Sequence, residues 1–289
     1  MKKIIKFLFK FLPVKLQVII EYRYHCKRRL NFKRLERYSE KIQLYKLKYK
    51  NPILPIIVDK ARVRDYVKDK GLEHILNDVY GVYNKVNEID FQTLPDKFVI
   101  KLNTGSGRNI FVEDKNKINI DETKKTLKKW MKINPRVFGA EWPYKKVKPK
   151  IIIEKYLDRD VDNDLPDFKF FAFNGEIDYL YVMVDYIDDH KNGKLSFYDM
   201  EFNKTEYYRK DYLPITSNVK KPKNFDLMVE YAKILSKDFP HIRVDFYNID
   251  GEIIFGELTL YTSKGYINFI PDNFDFILGD KFNINSFKR

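Results

Sequence analysis

The sequence predicts an α+β fold of two lobes, each built on an antiparallel sheet, behind a short basic helical arm. Three observations lead there. Strand-like segments such as KFVIKL, KIIIEKYL, FKFFAFNG and IDYLYVMVD mix with few helical stretches and without regular strand–helix–strand alternation, which favours antiparallel sheets. Glycine-containing turns, TGSGRN and NIDG, join neighbouring strands as hairpins. Charge is segregated: residues 1–50 hold 16 Lys+Arg against 3 Asp+Glu, whereas the remainder holds 39 against 38.

The arm opens MKKIIKFLFKFL. Lysines interrupt its apolar run, no small-residue cleavage site follows, and no stretch nears the ~20 apolar residues of a spanning helix, so neither secretion nor spanning is expected. On a helical wheel Lys2, Lys3, Lys6 and Lys10 share one sector opposite Ile4, Ile5, Phe7, Leu8, Phe9, Phe11 and Leu12, an interfacial pattern that ends at Pro13. Residues 1–20 are therefore expected either to lie on an anionic membrane surface or to dock as a terminal helix. Nucleic acid is a poor fit, because the body beyond residue 50 carries a net charge of only +1. Cys26 is the single cysteine, so no internal disulfide forms and a reducing, cytoplasmic setting is expected, with peripheral attachment to the inner face of the membrane.

After Pro52 and Pro55, DKARVRDYVKDKG reads as a helix capped at Asp59 and stopped at Gly71. Two strands flank TGSGRN, with Phe98, Ile100 and Leu102 on one face and Lys101 on the other; the glycines let backbone N–H groups approach phosphate, although a plain structural turn has the same composition. A lysine-rich helix is expected over Asp121–Met131, then the buried strand KIIIEKYL with Ile151–Ile153 as an apolar wall, and a helix near Phe225–Ser236. Boundaries fall at 1–58 for the arm, 59–157 for a lobe with the glycine flap, and 158–289 for a lobe with the closing hairpin.

That hairpin, HIRVDFYNIDGEIIFGELTLY, is the most informative segment. Alternation sets Arg243, Asp245 and Tyr247 on one face of its first strand and Phe255, Glu257 and Thr259 on a common face of the second. A three-residue loop, Ile249-Asp250-Gly251, would place Glu257 opposite Arg243 and diagonal to Asp245. Two converging carboxylates suffice for a nucleotide-borne Mg²⁺, which keeps phosphate and water for its other positions; the wet face of an ordinary sheet carries similar charges. Lys169, alone among aromatic neighbours, either reaches a cleft or snorkels to solvent.

The order of these pieces, DK(x)10G, a strand ending in Lys before a Gly-Ser-Gly flap, Glu-x-x-Leu, and RxD(x)11E, resembles the ATP-grasp superfamily. KLNTGSGRNI, EWPYKKVKPKIIIEKYL, DFKFFAFNG and RVDFYNIDGEIIFGELTLY look more narrowly like the TupA-like ATP-grasp family found with bacterial surface-polysaccharide genes, over about residues 59–280. The resemblance implies two α+β lobes clamping ATP. Lys101 and Lys169 would bind its phosphates under a flap of Gly105, Ser106 and Gly107. Glu154, Lys155 and Leu157 would line the adenine pocket, the last two largely through backbone. Asp245 and Glu257 would hold Mg²⁺, and Arg243 would sit beside the transferring phosphoryl group. Where the superfamily commonly has Asn two residues after the metal-binding Glu, this chain has Thr259, a weaker neutral donor.

An ATP-dependent carboxylate–amine ligase forming an acyl phosphate is then expected, joining an amine or amino acid to a uronic acid or related glycan precursor. A sugar or glycan kinase on the same fold and a non-enzymatic membrane or nucleic-acid binder are the rivals. His25, His74, His190 and His241 make no triad-like pattern with a serine or Cys26. Trp142-Pro143-Tyr144 reads as a structural anchor or a sugar contact; Asp185, Asp188, Asp189 and His190 as an acidic turn or a metal site; Asp162, Asn163 and Asp164 as possible ribose contacts.

Overall fold

The computed structural model describes residues 9, 11–132, 140–159, 164–186 and 193–287. Residues 1–8 and 10 of the lysine-patterned arm, Asp162, Asn163, and Asp188 to His190 lie outside the described residues. Helices α1 (Val14–Cys26) and α2 (Tyr38–Lys48) come first, followed by the short α3 (Leu54–Ile57) and α4 (Val63–Asp69). Gly71, with φ 77°, ends the α4 segment where the sequence places a stop.

Strands β1 (Val79–Tyr83), β2 (Phe98–Leu102) and β3 (Asn109–Val112), then helix α5 (Ile120–Met131) and strand β4 (Ile151–Lys155), build a first antiparallel sheet in the order β1-β4-β2-β3. Its core face joins Phe98, Ile100, Ile151 and Ile153 to Leu127 of α5. Ile152 points the other way, so the apolar wall expected of Ile151–Ile153 is split between two faces by the pleat.

The second sheet runs β10-β9-β5-β6-β7, built from β5 (Asp167–Phe173), β6 (Glu176–Val184), β7 (Lys194–Tyr198), β9 (Ile242–Ile249) and β10 (Glu252–Thr259), all antiparallel. Strand β8 (Tyr208–Arg209) pairs with β11 (Phe269–Ile270) as a small satellite. Helix α6 (Phe225–Ser236) lays Phe225, Met228, Ala232 and Leu235 on one face of the large sheet, with Phe170 stacked between Phe225 and Phe246. Each such ring contributes about 1.5–3 kcal/mol by burial. Helices α2 and α7 (Phe274–Lys281) cover part of the opposite face through Tyr38, which contacts Phe171 and Phe282. Part of the basic arm is thus core: Lys46 of α2 is 0 % exposed, its Nζ donating to the Lys264 carbonyl at 2.8 Å.

The hairpin corrects three expectations. Its loop is two residues, Asp250 and Gly251, both at positive φ (51° and 94°), with Ile249 paired to Glu252. A bulge between Phe255 and Glu257 then shifts the register by one, so Glu257 lies opposite Asp245 and Thr259 opposite Arg243. Phe255 pairs instead with Phe246, so it does not share a face with Glu257. Gly256 sits at the bulge, where a Cβ would meet the Asp245 carbonyl oxygen at 3.0 Å.

Candidate active site

Register alone assembles a row of functional side chains across the second sheet. Glu257, Asp245, Lys169, Tyr181 and Phe197 are directly opposed from β10 through β9, β5 and β6 to β7, and directly opposed residues share a face. The next row holds Thr259, Arg243 and Phe171. A polar patch therefore grades into the aromatic cluster of Phe171, Tyr181 and Phe197, which lowers the local dielectric around it.

The contacts are dense. Lys169 Nζ donates to Asp245 Oδ2 (2.7 Å) and also to Asp167 Oδ2. Arg243 grips Asp245 at two points, Nε to Oδ1 (2.7 Å) and Nη2 to Oδ2 (2.6 Å), and donates to Glu257 Oε1 and Thr259 Oγ1, both at 3.0 Å. Its Nη1 reaches the Tyr181 hydroxyl at 3.0 Å and Thr262 Oγ1 at 3.4 Å. The Thr259 hydroxyl donates to Glu257 Oε1 (2.7 Å), so it orients that carboxylate as well as standing beside it.

On the first sheet, Lys101 donates to Glu154 Oε2 at 2.6 Å, on the face away from the Phe98–Ile100 core. Lys155 is exposed, and its backbone is already engaged, its N–H with the Asp78 carbonyl (2.9 Å) and its carbonyl with Asn77 Nδ2 (2.9 Å). Leu157 lies just past β4, half-buried. Gly105 and Gly107 adopt φ 77° and 72° at an exposed tip with Ser106, a conformation glycine takes without strain.

Lys60, which the sequence reading used only to open a helix, joins the two sheets. Its N–H donates to the Asn103 carbonyl at the end of β2 (2.9 Å), and its Nζ reaches Glu257 Oε2 at 3.1 Å. Asp167, Tyr181 and Thr262 were missed too. Only Asp167 was within reach of period-2 reasoning, being two residues from Lys169 on the same strand; Tyr181 and Lys60 needed pairing that crosses 12 and 197 residues.

Three cations (Lys60, Lys169, Arg243) and three carboxylates (Asp167, Asp245, Glu257) thus interlock, and the Lys101–Glu154 pair on the first sheet is close enough for Lys60 to act on Glu154 electrostatically. Burial by itself would raise the Glu257 carboxyl, but Lys60, Arg243 and Lys169 outweigh it and hold the group well below the ordinary range. Burial likewise opposes charge on Lys169, and Asp167 with Asp245 overcomes it, keeping the ammonium firmly protonated. For Asp167 burial wins: aided by Asp245 and countered by Lys169, it pushes the carboxyl up to about 6. Asp167 Oδ1 is buried without a hydrogen-bond partner. That orphaned oxygen, beside hard carboxylates drawn together on one face, suits a divalent cation brought in with phosphate. Asp245 and Glu257 would hold it.

Elsewhere, His241 Nδ1 donates to the Ala172 carbonyl and Nε2 accepts from the Tyr38 hydroxyl (both 2.9 Å), and burial pushes the ring down to about 3. It is a core residue. Cys26 is buried, its thiol pushed up to about 12 by burial. Trp142 Nε1 donates to the Tyr49 carbonyl at 3.1 Å, the structural anchor of the two alternatives, and Asp185 pairs with Lys194 at 2.8 Å.

Two antiparallel sheets meeting across a band of lysines and carboxylates define an ATP-grasp protein. The TupA-like ATP-grasp family model matches residues 40–283, and the chain belongs to that family. Among solved structures it is similar to a D-alanine–D-alanine ligase from Bacillus anthracis (17 % identity, TM-score 0.43, covering 71 % of this chain and 57 % of that one). It is also similar to an L-amino acid ligase from Bacillus licheniformis (14 %, TM-score 0.45, 75 % and 46 %). A third is the ATP-grasp ligase PsnB complexed with a precursor variant, Mg and ADP (12 %, TM-score 0.44, 81 % and 62 %). The chain thus spans under two thirds of the length of each of these structures. No curated protein matches it.

Proposed function

We propose that this chain is an ATP-dependent carboxylate–amine ligase that works through an acyl phosphate. The observation that carries the reading is the row Glu257–Asp245–Lys169, locked by Arg243 and linked to the first sheet by Lys60. Without ligand the cations and acids satisfy one another. Asp245 and Glu257 would hold Mg²⁺, whose charge would compensate the carboxylates and leave the ammonium groups for phosphate oxygens. Lys101, Lys169 and Lys60 then neutralise the triphosphate from two sides, with the Gly105–Gly107 flap above and Glu154, Lys155 and Leu157 toward the adenine.

A substrate carboxylate oxygen bonds to the γ-phosphorus as the bridging oxygen leaves with ADP, so the chain's task is positioning and charge stabilisation. An amine nitrogen next bonds to the acyl carbon; phosphate departs and the nitrogen loses a proton. Arg243 faces the oxyanion of that second step. Family membership supports a substrate in bacterial cell-surface polysaccharide assembly, a uronic acid or related glycan precursor accepting an amine or amino acid. In this reading residues 59–157 and 158–289 are the two clamping lobes.

Attachment to an anionic membrane belongs to the same proposal. No described helix is long and apolar enough to cross a membrane. On α1, Leu16, Ile20 and Tyr24 are exposed at four-residue spacing, opposite the buried Val18, Tyr22 and Cys26. Lys15, Arg23, Lys27 and Arg29 are exposed around them, while Glu21 is engaged by the Tyr266 hydroxyl at 2.6 Å. An apolar stripe bordered by cations alone fits a lipid surface better than a second copy of itself.

Incubation with Mg·ATP, uronic acids and amino acids tests the ligase. ADP, phosphate and an amide in equal amounts are expected. A phosphorylated sugar without free phosphate would make the protein a kinase instead.

A further inference from the structure

Outside the metal and phosphate band, one cluster has geometry that the ligase reading leaves unused. Arg209, on β8, is buried, with its guanidinium 5.0 Å from the centre of the Tyr212 ring. Its fork is paired with an exposed carboxylate. Nε and Nη2 donate to Asp211 Oδ1 and Oδ2 (3.0 and 2.5 Å), and Nη2 also donates to Ser263 Oγ at 2.7 Å.

Ser263 belongs to the turn Thr262–Gly265 that follows β10, the strand bearing Glu257 and Thr259. Thr262 accepts from Arg243 and Ser263 accepts from Arg209, so consecutive residues tie the two arginines together. Ser263 and Lys264 are exposed yet both left-handed, at φ 47° and 59°. Such conformations are strained for residues other than glycine and persist where surroundings impose them. Here they are imposed from below: the fully buried Lys46 donates to the Lys264 carbonyl (2.8 Å), and Gln43 Nε2 donates to the Gly265 carbonyl (2.9 Å). A lysine buried to hold an exposed turn in strain marks that turn as a fixed surface.

We propose that Arg209 and Ser263 anchor a non-reacting carboxylate of the substrate, and that Asp211 occupies the fork until the substrate displaces it. This rests on the ligase reading and adds a substrate class: one partner carries a second carboxylate besides the reacting group. A two-point guanidinium contact selects a planar carboxylate, and the Ser263 hydroxyl at the same Nη2 completes its environment. Asp211 is exchangeable because its side chain is 58 % exposed, and an ion pair with so wet a partner is worth little. Arg243 is already assigned to the reacting centre, where it holds Asp245, Glu257 and Tyr181, so the anchor is a separate group.

The full chain, loaded with Mg²⁺ and a non-hydrolysable ATP analogue, is titrated with malonate, with inorganic phosphate, and with neutral malonamide. Malonate should bind and malonamide should not. Asp211→Asn, which weakens the internal competitor, should tighten malonate; Arg209→Lys, which loses the fork, should weaken it about tenfold or more. Affinity for the analogue should not change in either variant. A purely structural role for the Arg209–Asp211 pair would move both variants in the same direction, and that result overturns the proposal. So does phosphate binding in preference to malonate, or a crystal soak that finds malonate away from Arg209. Should Arg209→Lys fail to fold, Ser263→Ala in its place must weaken malonate while Asp211→Asn tightens it. Failure of the analogue to bind would overturn the ATP reading, and malonate titration of the nucleotide-free chain still decides the anchor.

Discussion

Arg243 and Asp245, two residues apart on β9, face the same side of the sheet and meet through two hydrogen bonds of 2.7 and 2.6 Å. Asp245 is 1 % exposed and also takes the Lys169 ammonium. Neutralising it leaves two buried cations short of a partner, a loss of about 3–5 kcal/mol by analogy with other broken buried pairs. Asp245→Asn should therefore lower the melting temperature and, at a temperature where the variant is still folded, cut ATP-dependent turnover about 10²–10³-fold. Thermal melts and ADP release measure the two effects separately. Turnover at the native level in the folded variant would remove Asp245 from the metal site.

Lys60 bears on both sheets through one side chain. The folded Glu257 carboxyl sits below its ordinary 4.5, so its contribution to stability is complete above that pH and is given up as pH falls toward the folded value. Burial opposes ionisation there, and Lys60 is the leading cation against it. In Lys60→Met the folded carboxyl should titrate at higher pH, so the acid side of the stability profile moves upward. Melting temperatures from about pH 3 to 6 test this, and superimposable profiles for the two proteins would discount Lys60. Weaker nucleotide binding at neutral pH should accompany the shift.

How much of this was legible in the sequence depends on separation and on backbone irregularity. Arg243, Asp245 and Glu257 fall within one hairpin, and alternation found all three; the facing of Lys101 also follows from period 2. Their register did not, because a two-residue turn and a bulge at Gly256 replace the three-residue loop that composition suggested, and a bulge has no compositional mark beyond a glycine. Lys60 and Glu257 meet across 197 residues, which no local pattern encodes. The arm misled in a different way. Its charge composition hides the burial: Tyr38, Ile42 and Tyr45 are core and Lys46 is buried beneath an exposed turn, because a lysine can be buried where carbonyls meet its ammonium.

Asp167 titrates in the opposite sense to Glu257. Burial, with Asp245 close by, lifts its folded carboxyl to about 6 from 3.8. A raised acid favours folding while protonated, so this contribution is present below 3.8 and is lost as pH rises through about 6. Asp167→Asn cannot ionise, so it should remove a downward slope in stability over that window, worth up to about 3 kcal/mol. Chemical denaturation at several pH values reads it out. A slope retained in the variant would assign the titration to another group.

The outward face of α1 predicts lipid-dependent behaviour. Leu16→Glu with Ile20→Glu should abolish sedimentation with vesicles containing anionic phospholipid, and ATP turnover in solution should be unchanged, because both side chains point away from the core. Wild-type protein should ignore purely zwitterionic vesicles. Equal binding to both kinds of vesicle, or concentration-dependent dimerisation lost in the double variant, would assign this face to something other than anionic lipid.

Gly256 tests whether the bulge is what aims Glu257. A Cβ there would lie 3.0 Å from the Asp245 carbonyl oxygen and 3.4 Å from its carbonyl carbon, both backbone atoms that cannot swing aside. Gly256→Ala should cost about 1–3 kcal/mol by overpacking and push β10 away from β9 at the pair Glu257–Asp245. Metal-dependent steps should suffer more than stability does: the Mg²⁺ concentration needed for half-maximal turnover should rise, with a smaller change in the affinity for ATP analogue measured without metal. Replacing Gly251 is the control, since it has open space around its Cβ position and lies at the far end of the hairpin. There Gly251→Ala should lower the melting temperature through its positive φ and leave the Mg²⁺ dependence untouched. If both variants shifted the Mg²⁺ requirement equally, hairpin stability rather than the bulge would control the carboxylates.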